Sequence, residues 1–289
     1  MTTLSVVQRS GNEAPLFIKE VLDSLEKGSV VLDAGCGAGS FEHSRYPELV
    51  LVSVDIKRPA QAGESGSGGE SGSGGESGSG GESAPKPGPA NFVLGDVERL
   101  PIKDSSIDFA VMNYVLEHVS DAVATVKEAA RTLKKGGLLY AALPNSRSFD
   151  DRFYRFAGYF AKYVLLKVHK RLEHQQRFDF LSLSKLFYRE GFRLLSFSEC
   201  PSGYTWMNDP RTRRFHSSFL RTLSFIKNVL RVDLFGRSNY LALYRYEGTN
   251  GLRIVTHVCA YCGMQLVREK GQGSGSWTCP YCGRENIHS

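Results

Sequence analysis

The chain has 289 residues, with 41% hydrophobic and 23% charged residues. That is about twice a usual single domain, with ordinary globular proportions, so one large core plus an appendage is expected. The apolar stretches around Tyr159–Val168 and Phe219–Leu230 are broken by Lys162, Arg221 and Lys227, which excludes them as bilayer-spanning helices. A net charge of +6 permits an acidic partner such as nucleic acid or an anionic membrane surface without requiring one. Residues 1–10 carry no apolar core flanked by basic residues, so no secretory leader is expected.

Apolar residues at Leu16, Phe17, Val21, Leu22 and Leu25 fall on one helical face and predict a helix from Ala14 that stops at Lys27-Gly28. Val30-Val31-Leu32 predicts a short buried strand running into a glycine-rich turn, and Leu49–Val54 predicts a second strand ending in Asp55. Only nine residues separate Gly39 from Leu49, with Pro47 among them, so any helix between them must be short. Residues 57–90 contain a Gly-Glu-Ser-Gly-Ser-Gly repeat flanked by prolines; lacking anchors for a core, they read as a solvated tether. Strands follow at Asn91–Leu94, Ile107–Met112, Leu138–Leu143, Phe192–Ser198 and Tyr240–Tyr246, with helices at Ala122–Leu133 and Ser182–Arg189. Strands and helices alternating in this way imply an α/β fold, a mostly parallel sheet with helices on both faces.

The turn Asp33-Ala34-Gly35-Cys36-Gly37-Ala38-Gly39 places glycine at every second position. Glycine is needed where the backbone takes positive φ or where a ligand lies against the main chain. The spacing departs from the dinucleotide fingerprint, which would put a small residue where Ser40 stands. Together with Asp55, with Gly95-Asp96-Val97 after the third strand, with the run from Ile107 through Asn113 to His118-Val119, and with Leu133-Lys134-Lys135-Gly136-Gly137, this turn resembles the class I S-adenosylmethionine-dependent methyltransferases. The matches cover residues 29–145. The resemblance implies a Rossmann-like, doubly wound, seven-stranded sheet. It implies that Asp33, Gly35, Gly37 and Gly39 form the cofactor turn and that Asp55 holds the ribose hydroxyls. It further implies that Asp96 and Val97 read the adenine edge, while Asn113 opens the loop beside the methionine part.

His118, just past the fourth strand, and His174, in a downstream loop, are the candidates for a general base, should the acceptor start protonated. Neither an Asn-Pro-Pro-Tyr nor a Pro-Cys motif follows the fourth strand, where Asn113-Tyr114-Val115-Leu116 stands. That lowers the weight of base or glutamine amino methylation and of C5 attack on cytosine. Residues 147–180 and 201–237 are rich in Arg, Lys and aromatic side chains and fall where this fold builds its substrate cover. They read as a lid over a small-molecule or lipid-linked acceptor, as a surface touching anionic lipid, or as a face gripping RNA.

Cys259-Ala260-Tyr261-Cys262 and Cys279-Pro280-Tyr281-Cys282 are two C-x-x-C knuckles, each followed by glycine. Four thiolates at this spacing suit one tetrahedral Zn²⁺ with no open position, a structural site, and the segment resembles a zinc ribbon. The spacing also favours a reducing compartment over a disulfide framework, so a cytoplasmic location is expected.

The expected organisation is a methyltransferase domain over residues 1–250 and a zinc ribbon over residues 256–286, with S-adenosylmethionine and Zn²⁺ as cofactors. The expected reaction is methyl transfer to oxygen, nitrogen or carbon of a small or lipid-linked acceptor. RNA methylation is one alternative. Another is a non-catalytic adaptor that presents the ribbon to a protein partner.

Overall fold

In a computed structural model of the chain the described residues are 14–58, 91–146, 148, 176–200, 218, 222, 225, 229, 239–248, 254–261, 265–269, 276–279 and 284–287. Seven strands form one sheet: β1 (Val30–Ala34), β2 (Val50–Asp55), β3 (Phe92–Leu94), β4 (Ile107–Asn113), β5 (Leu133–Pro144), β6 (Phe192–Cys200) and β7 (Asn239–Tyr246). Their order is β3-β2-β1-β4-β5-β7-β6. β7 runs antiparallel to both of its neighbours, β5 and β6, and every other pairing in the sheet is parallel. From β1 the chain winds outward through β2 and β3 on one side, then returns to β4 on the other. The order therefore reverses between β1 and β4, where open α/β sheets leave a crevice beyond the strands' carboxyl ends.

Both faces of the sheet are apolar, as parallel strands covered on two sides require. Along each strand successive side chains point to opposite faces, and the buried residues sort accordingly. Leu32, Ala110, Met112, Leu139, Ala141, Ala242 and Tyr244 pack with Val126 and Ala129 of α2 (Ala122–Thr132) and with Phe180, Leu183 and Phe187 of α3 (Phe180–Arg189). On the opposite face Val31, Phe109, Val111, Tyr140, Leu241 and Leu243 meet Ile18, Val21 and Leu22 of α1 (Ala14–Ser24). Each of α2 and α3 starts where an aspartate caps it: Asp121 accepts from the amides of Val123 and Ala124, and Asp179 forms a capping box with Ser182. Such caps satisfy donors that have no partner inside the helix.

Between β1 and β2 the expected short helix is a single 3-10 turn, His43–Arg45. One boundary differs from expectation. The Lys134-Lys135-Gly136-Gly137 segment, read as a helix terminus ahead of a strand at Leu138, is already part of β5. Leu133 pairs with Ile107 across a register shift, and Lys134 reaches Asp108 of β4 at 2.8 Å. Residues 59–90 of the tether, most of the 147–180 insertion and all but four residues of the 201–237 insertion lie outside the described residues.

Beyond β7, β8 (Ile254–Val258) pairs antiparallel with β9 (Gln265–Glu269), and β10 (Ser276–Thr278) with β11 (Glu285–Ile287). The two hairpins are tied by Asn286, buried, whose Oδ1 accepts from the Ala260 amide at 2.8 Å. α3 packs against β8 and β9. Among the described residues no helix is long and apolar enough to cross a membrane.

Candidate functional site

The turn leaving β1 folds as its glycines dictate. Gly35, Gly37 and Gly39 all have positive φ, at 68°, 50° and 108°, where a Cβ is strained. At Gly35 space forbids one as well: an added Cβ would lie 2.6 Å from a methyl of Val115, in the loop after β4. At Gly37 an added Cβ would meet nothing within 4 Å, so the backbone there faces open space. The amides of Gly35 and Cys36 both donate to the Val54 carbonyl, at 2.7 and 3.2 Å, which pins the turn to the end of β2. Asp33, buried at the end of β1, closes the turn from beneath. Its carboxylate accepts from the Ser40 amide at 2.9 Å and from the Ser40 hydroxyl at 2.6 Å, with His43 Nε2 at 3.4 Å. Cys36 is buried in the same turn. Burial first, then the charges of Asp33 and Asp55, push its thiol up to about 12, so it is a neutral filler and not a nucleophile.

Asp55 ends β2 beside this turn. One carboxylate oxygen accepts from the Gly37 amide at 2.8 Å and the other from the Lys57 amide at 3.0 Å. The acid and the glycine backbone thus share one corner of the crevice. Next along the edge, Gly95 donates to the Asp55 carbonyl at 2.9 Å, and a side chain there would strike Pro101. Asp96 is exposed and accepts from the Glu98 amide at 2.9 Å, while Val97 is buried. Glu98 in turn accepts from the amides of Ser120 and Asp121, joining this loop to the one after β4.

That second loop is held under constraint. Asn113 ends β4, and Tyr114 follows with φ of 58°, a left-handed conformation uncommon for a large side chain. Tyr114 donates its amide to Ala142 of β5, while Val115 rests on Gly35. The Gln176 amide donates to the Glu117 carbonyl at 3.1 Å, and its side chain donates to the Ser120 carbonyl at 2.9 Å. Two acceptors in this loop, Asn113 Oδ1 and Glu117 Oε2, are buried with no hydrogen-bond partner among the described residues. Glu117 is only 3% exposed, and burial pushes its carboxyl up to about 7. His118 is about half exposed, with Nε2 4.0 Å from Glu117 Oε1.

The structure therefore brings Asp33, Gly35, Gly37, Gly39, Asp55, Asp96, Val97, Asn113 and His118 to the carboxyl ends of β1–β4. His174 lies outside the described residues, as do Cys262 and Cys282. Cys259 and Cys279 are buried, and Cys279 donates its amide to the Arg284 carbonyl at 2.8 Å. Among the described residues no three metal-ligating side chains gather. Glu117, Ser40, Glu98 and Gln176 are parts of the site that sequence reasoning missed. Only Ser40, seven residues after Asp33 in the glycine turn, carried a local signal.

Comparison with known proteins adds four findings. A family model described as "Methyltransferase domain" matches residues 8–196. A malonyl-[acyl-carrier protein] O-methyltransferase of Yersinia pestis is 26% identical over 132 residues, 43% of this chain and 40% of that protein. A demethylmenaquinone methyltransferase of Staphylococcus haemolyticus is 26% identical over 129 residues, 41% of this chain and 54% of that protein. The chain thus spans about half or less of the length of these curated relatives. Among solved structures, an S-adenosylmethionine-dependent methyltransferase of Methanosarcina mazei has a TM-score of 0.47 at 17% identity, covering 78% of this chain and 96% of the other.

Proposed function

The chain belongs to the methyltransferase-domain family; on that premise we propose that it is an S-adenosylmethionine-dependent methyltransferase that methylates an oxygen, nitrogen or carbon atom of a small or lipid-linked acceptor. The family assignment favours the enzyme over the adaptor alternative. The acceptor class is supported by the relatives' names, which include an acyl-carrier-bound substrate and a quinone-type lipid.

The observation that carries the reading is the corner where Gly37 turns bare backbone to open space and Asp55 lies 2.8 Å from its amide. The donor set suits an adenosyl sulfonium with a methionyl tail. Asp55 offers two acceptor oxygens to adjacent ribose hydroxyls. The main chain of Gly35, Gly37 and Gly39 admits a ligand without steric obstruction. Asp96 and the Val97 amide suit the adenine edge, and the Oδ1 of Asn113, without a partner among the described residues, suits the methionyl amine. Asp33, engaged with Ser40 and His43, shapes the turn.

When bound, the cofactor supplies an electrophilic methyl, so the reaction's intrinsic difficulty is met by the cofactor. The protein's task is to orient the acceptor, exclude water and take a proton where the acceptor has one to lose. Val115 lies over Gly35, and the Gln176 amide on the Glu117 carbonyl fastens the same loop after β4.

For the tail we propose a structural zinc ribbon on Cys259, Cys262, Cys279 and Cys282. The matching knuckles support it, as do the burial of Cys259 and Cys279 beside Trp277 and the Asn286 tie between the hairpins. Incubation of the protein with methyl-tritiated S-adenosylmethionine and a fractionated cell extract tests the enzymatic reading. Label should pass into one small-molecule or lipid fraction. Label confined to the RNA fraction would overturn the acceptor class.

A further inference from the structure

Resting on that reading, we propose that Glu98 is a positioning residue: it locks the loop carrying Asp96 and Val97 to the loop after β4, so that one carboxylate sets both the affinity for the cofactor and the order of the second loop. Glu98 Oε1 accepts from the Ser120 amide at 2.5 Å and from the Asp121 amide at 3.0 Å, across 22 and 23 residues of sequence. Asp96 Oδ1 accepts from the Glu98 amide at 2.9 Å, and the Arg99 amide donates to the Asp96 carbonyl at 3.1 Å. Glu98 and Asp96 therefore belong to one tight turn. On the other side of the clasp Ser120 is held twice, its amide by Glu98 and its carbonyl by the Gln176 side chain at 2.9 Å.

The carboxylate completes a cap that α2 cannot complete by itself. Asp121 caps α2, and in a capping box the third residue of the helix returns the bond by accepting from the cap's own amide. In α3 that residue is Ser182, which answers Asp179. In α2 it is Ala124, whose side chain has no acceptor. Glu98 supplies the acceptor from another loop, and its charge lies at the helix's positive end. The far end of the same segment is fastened separately. The Leu100 amide donates to Glu128 at 2.8 Å, and Arg131 donates to the carbonyls of Leu100 and Ile102. Loss of Glu98 thus frees the end next to Asp96 without releasing the segment from α2. The loops at the carboxyl ends of β3 and β4 then lose their common anchor. Cofactor binding would have to order the first loop as well, which weakens it, and linkage requires that binding steady the second loop only while the clasp is intact.

Calorimetry and amide hydrogen exchange on the full chain, with S-adenosylmethionine as the probe, test this with three variants. Glu98→Ala should bind roughly 10-fold more weakly than wild type, and its Ser120 and Asp121 amides should exchange faster. Glu98→Gln, which keeps an acceptor oxygen, should recover most of the affinity. Glu98→Ala/Ala124→Glu restores the capping box inside α2. In thermal melts it should regain the stability lost by Glu98→Ala, while affinity stays low, the Ser120 amide stays fast, and cofactor no longer slows exchange across residues 115–120. Wild-type affinity in Glu98→Ala would overturn the proposal. Recovery of affinity together with stability in the double variant would reduce Glu98 to a helix cap and overturn it too. Failure of wild-type protein to bind the cofactor would instead overturn the reading on which the proposal rests.

Discussion

At the scale of single residues the site is built by close approach. Gly35 combines positive φ with a Val115 methyl 2.6 Å from where its Cβ would be. Gly35→Ala should therefore cost several kcal/mol through overpacking and backbone strain. Trimming the neighbour in Gly35→Ala/Val115→Ala should recover the steric part and leave the strain, a non-additivity that thermal melts of the two single variants and the pair would reveal. Glu117 gives a second prediction, with its sign set by its raised carboxyl. The folded protein holds the proton that the unfolded chain releases near pH 4.5, so between there and about 7 stability falls as pH rises, and it stays lower above. Glu117→Gln removes that loss. It should match wild type near pH 4.5 and exceed it by roughly 3 kcal/mol above pH 7, since each tenfold difference in proton affinity is worth about 1.36 kcal/mol. Urea melts at the two pH values check this, and equal offsets at both would contradict it. Sequence reasoning named His118 for its place after the fourth strand, as a residue type that titrates near neutrality without help, and did not weigh Glu117. The carboxylate titrates there only through burial, and burial depends on how three loops meet.

At the scale of elements, most of the architecture was legible because the strands that make the crevice are short apolar runs closed by turn residues. β1, β2 and β4 end in Ala34-Gly35, Asp55 and Asn113, within a residue or two of where the pattern placed them. β5 was not legible at its start. Lys134-Lys135-Gly136-Gly137 has the chemistry of a helix terminus, basic residues followed by glycines, and α2 does end just before it. What makes those residues strand is a partner: Leu133 against Ile107, and the Lys134 ammonium on Asp108. That pairing is a long-range fact. The clip between α2 and the loop after β3 was equally hidden. The Arg131 guanidinium donates to the carbonyls of Leu100 and Ile102 and to the carboxylates of Glu128 and Asp104. Arg131→Leu should lower stability by about 1–2 kcal/mol, measured by chemical denaturation. The hydrogen bond and charge of Arg131 hold the Glu128 carboxyl below its ordinary range. The Glu128 share of that stability is therefore present above about pH 5 and lost as pH falls through the lowered value.

At the scale of the whole molecule, the sheet and the C-terminal hairpins are not independent. α3 buries Phe180, Leu183 and Phe187 in the main core and also packs on β8 and β9. Just ahead of α3, Gln176 fastens the loop that carries Glu117. If four thiolates hold Zn²⁺ there, metal binding supplies folding energy to the hairpins and braces α3 from outside. Elemental analysis should then give one zinc per chain, and Cys279→Ser should abolish it and lower the melting temperature. Retention of zinc in that variant would contradict the ligand set. Two knuckles are a signal that sequence carries completely, whereas the docking of the tail on α3 is one it does not.

The central claim is that the glycine turn and Asp55 together hold S-adenosylmethionine, and calorimetric titration of wild type against Asp55→Ala tests it most directly. Removing a charged acceptor of two hydroxyls costs about 1.5–3 kcal/mol, so wild type should bind one equivalent and the variant should bind roughly 10- to 100-fold more weakly. Equal affinity in the two proteins, or no heat of binding with wild type, would contradict the account.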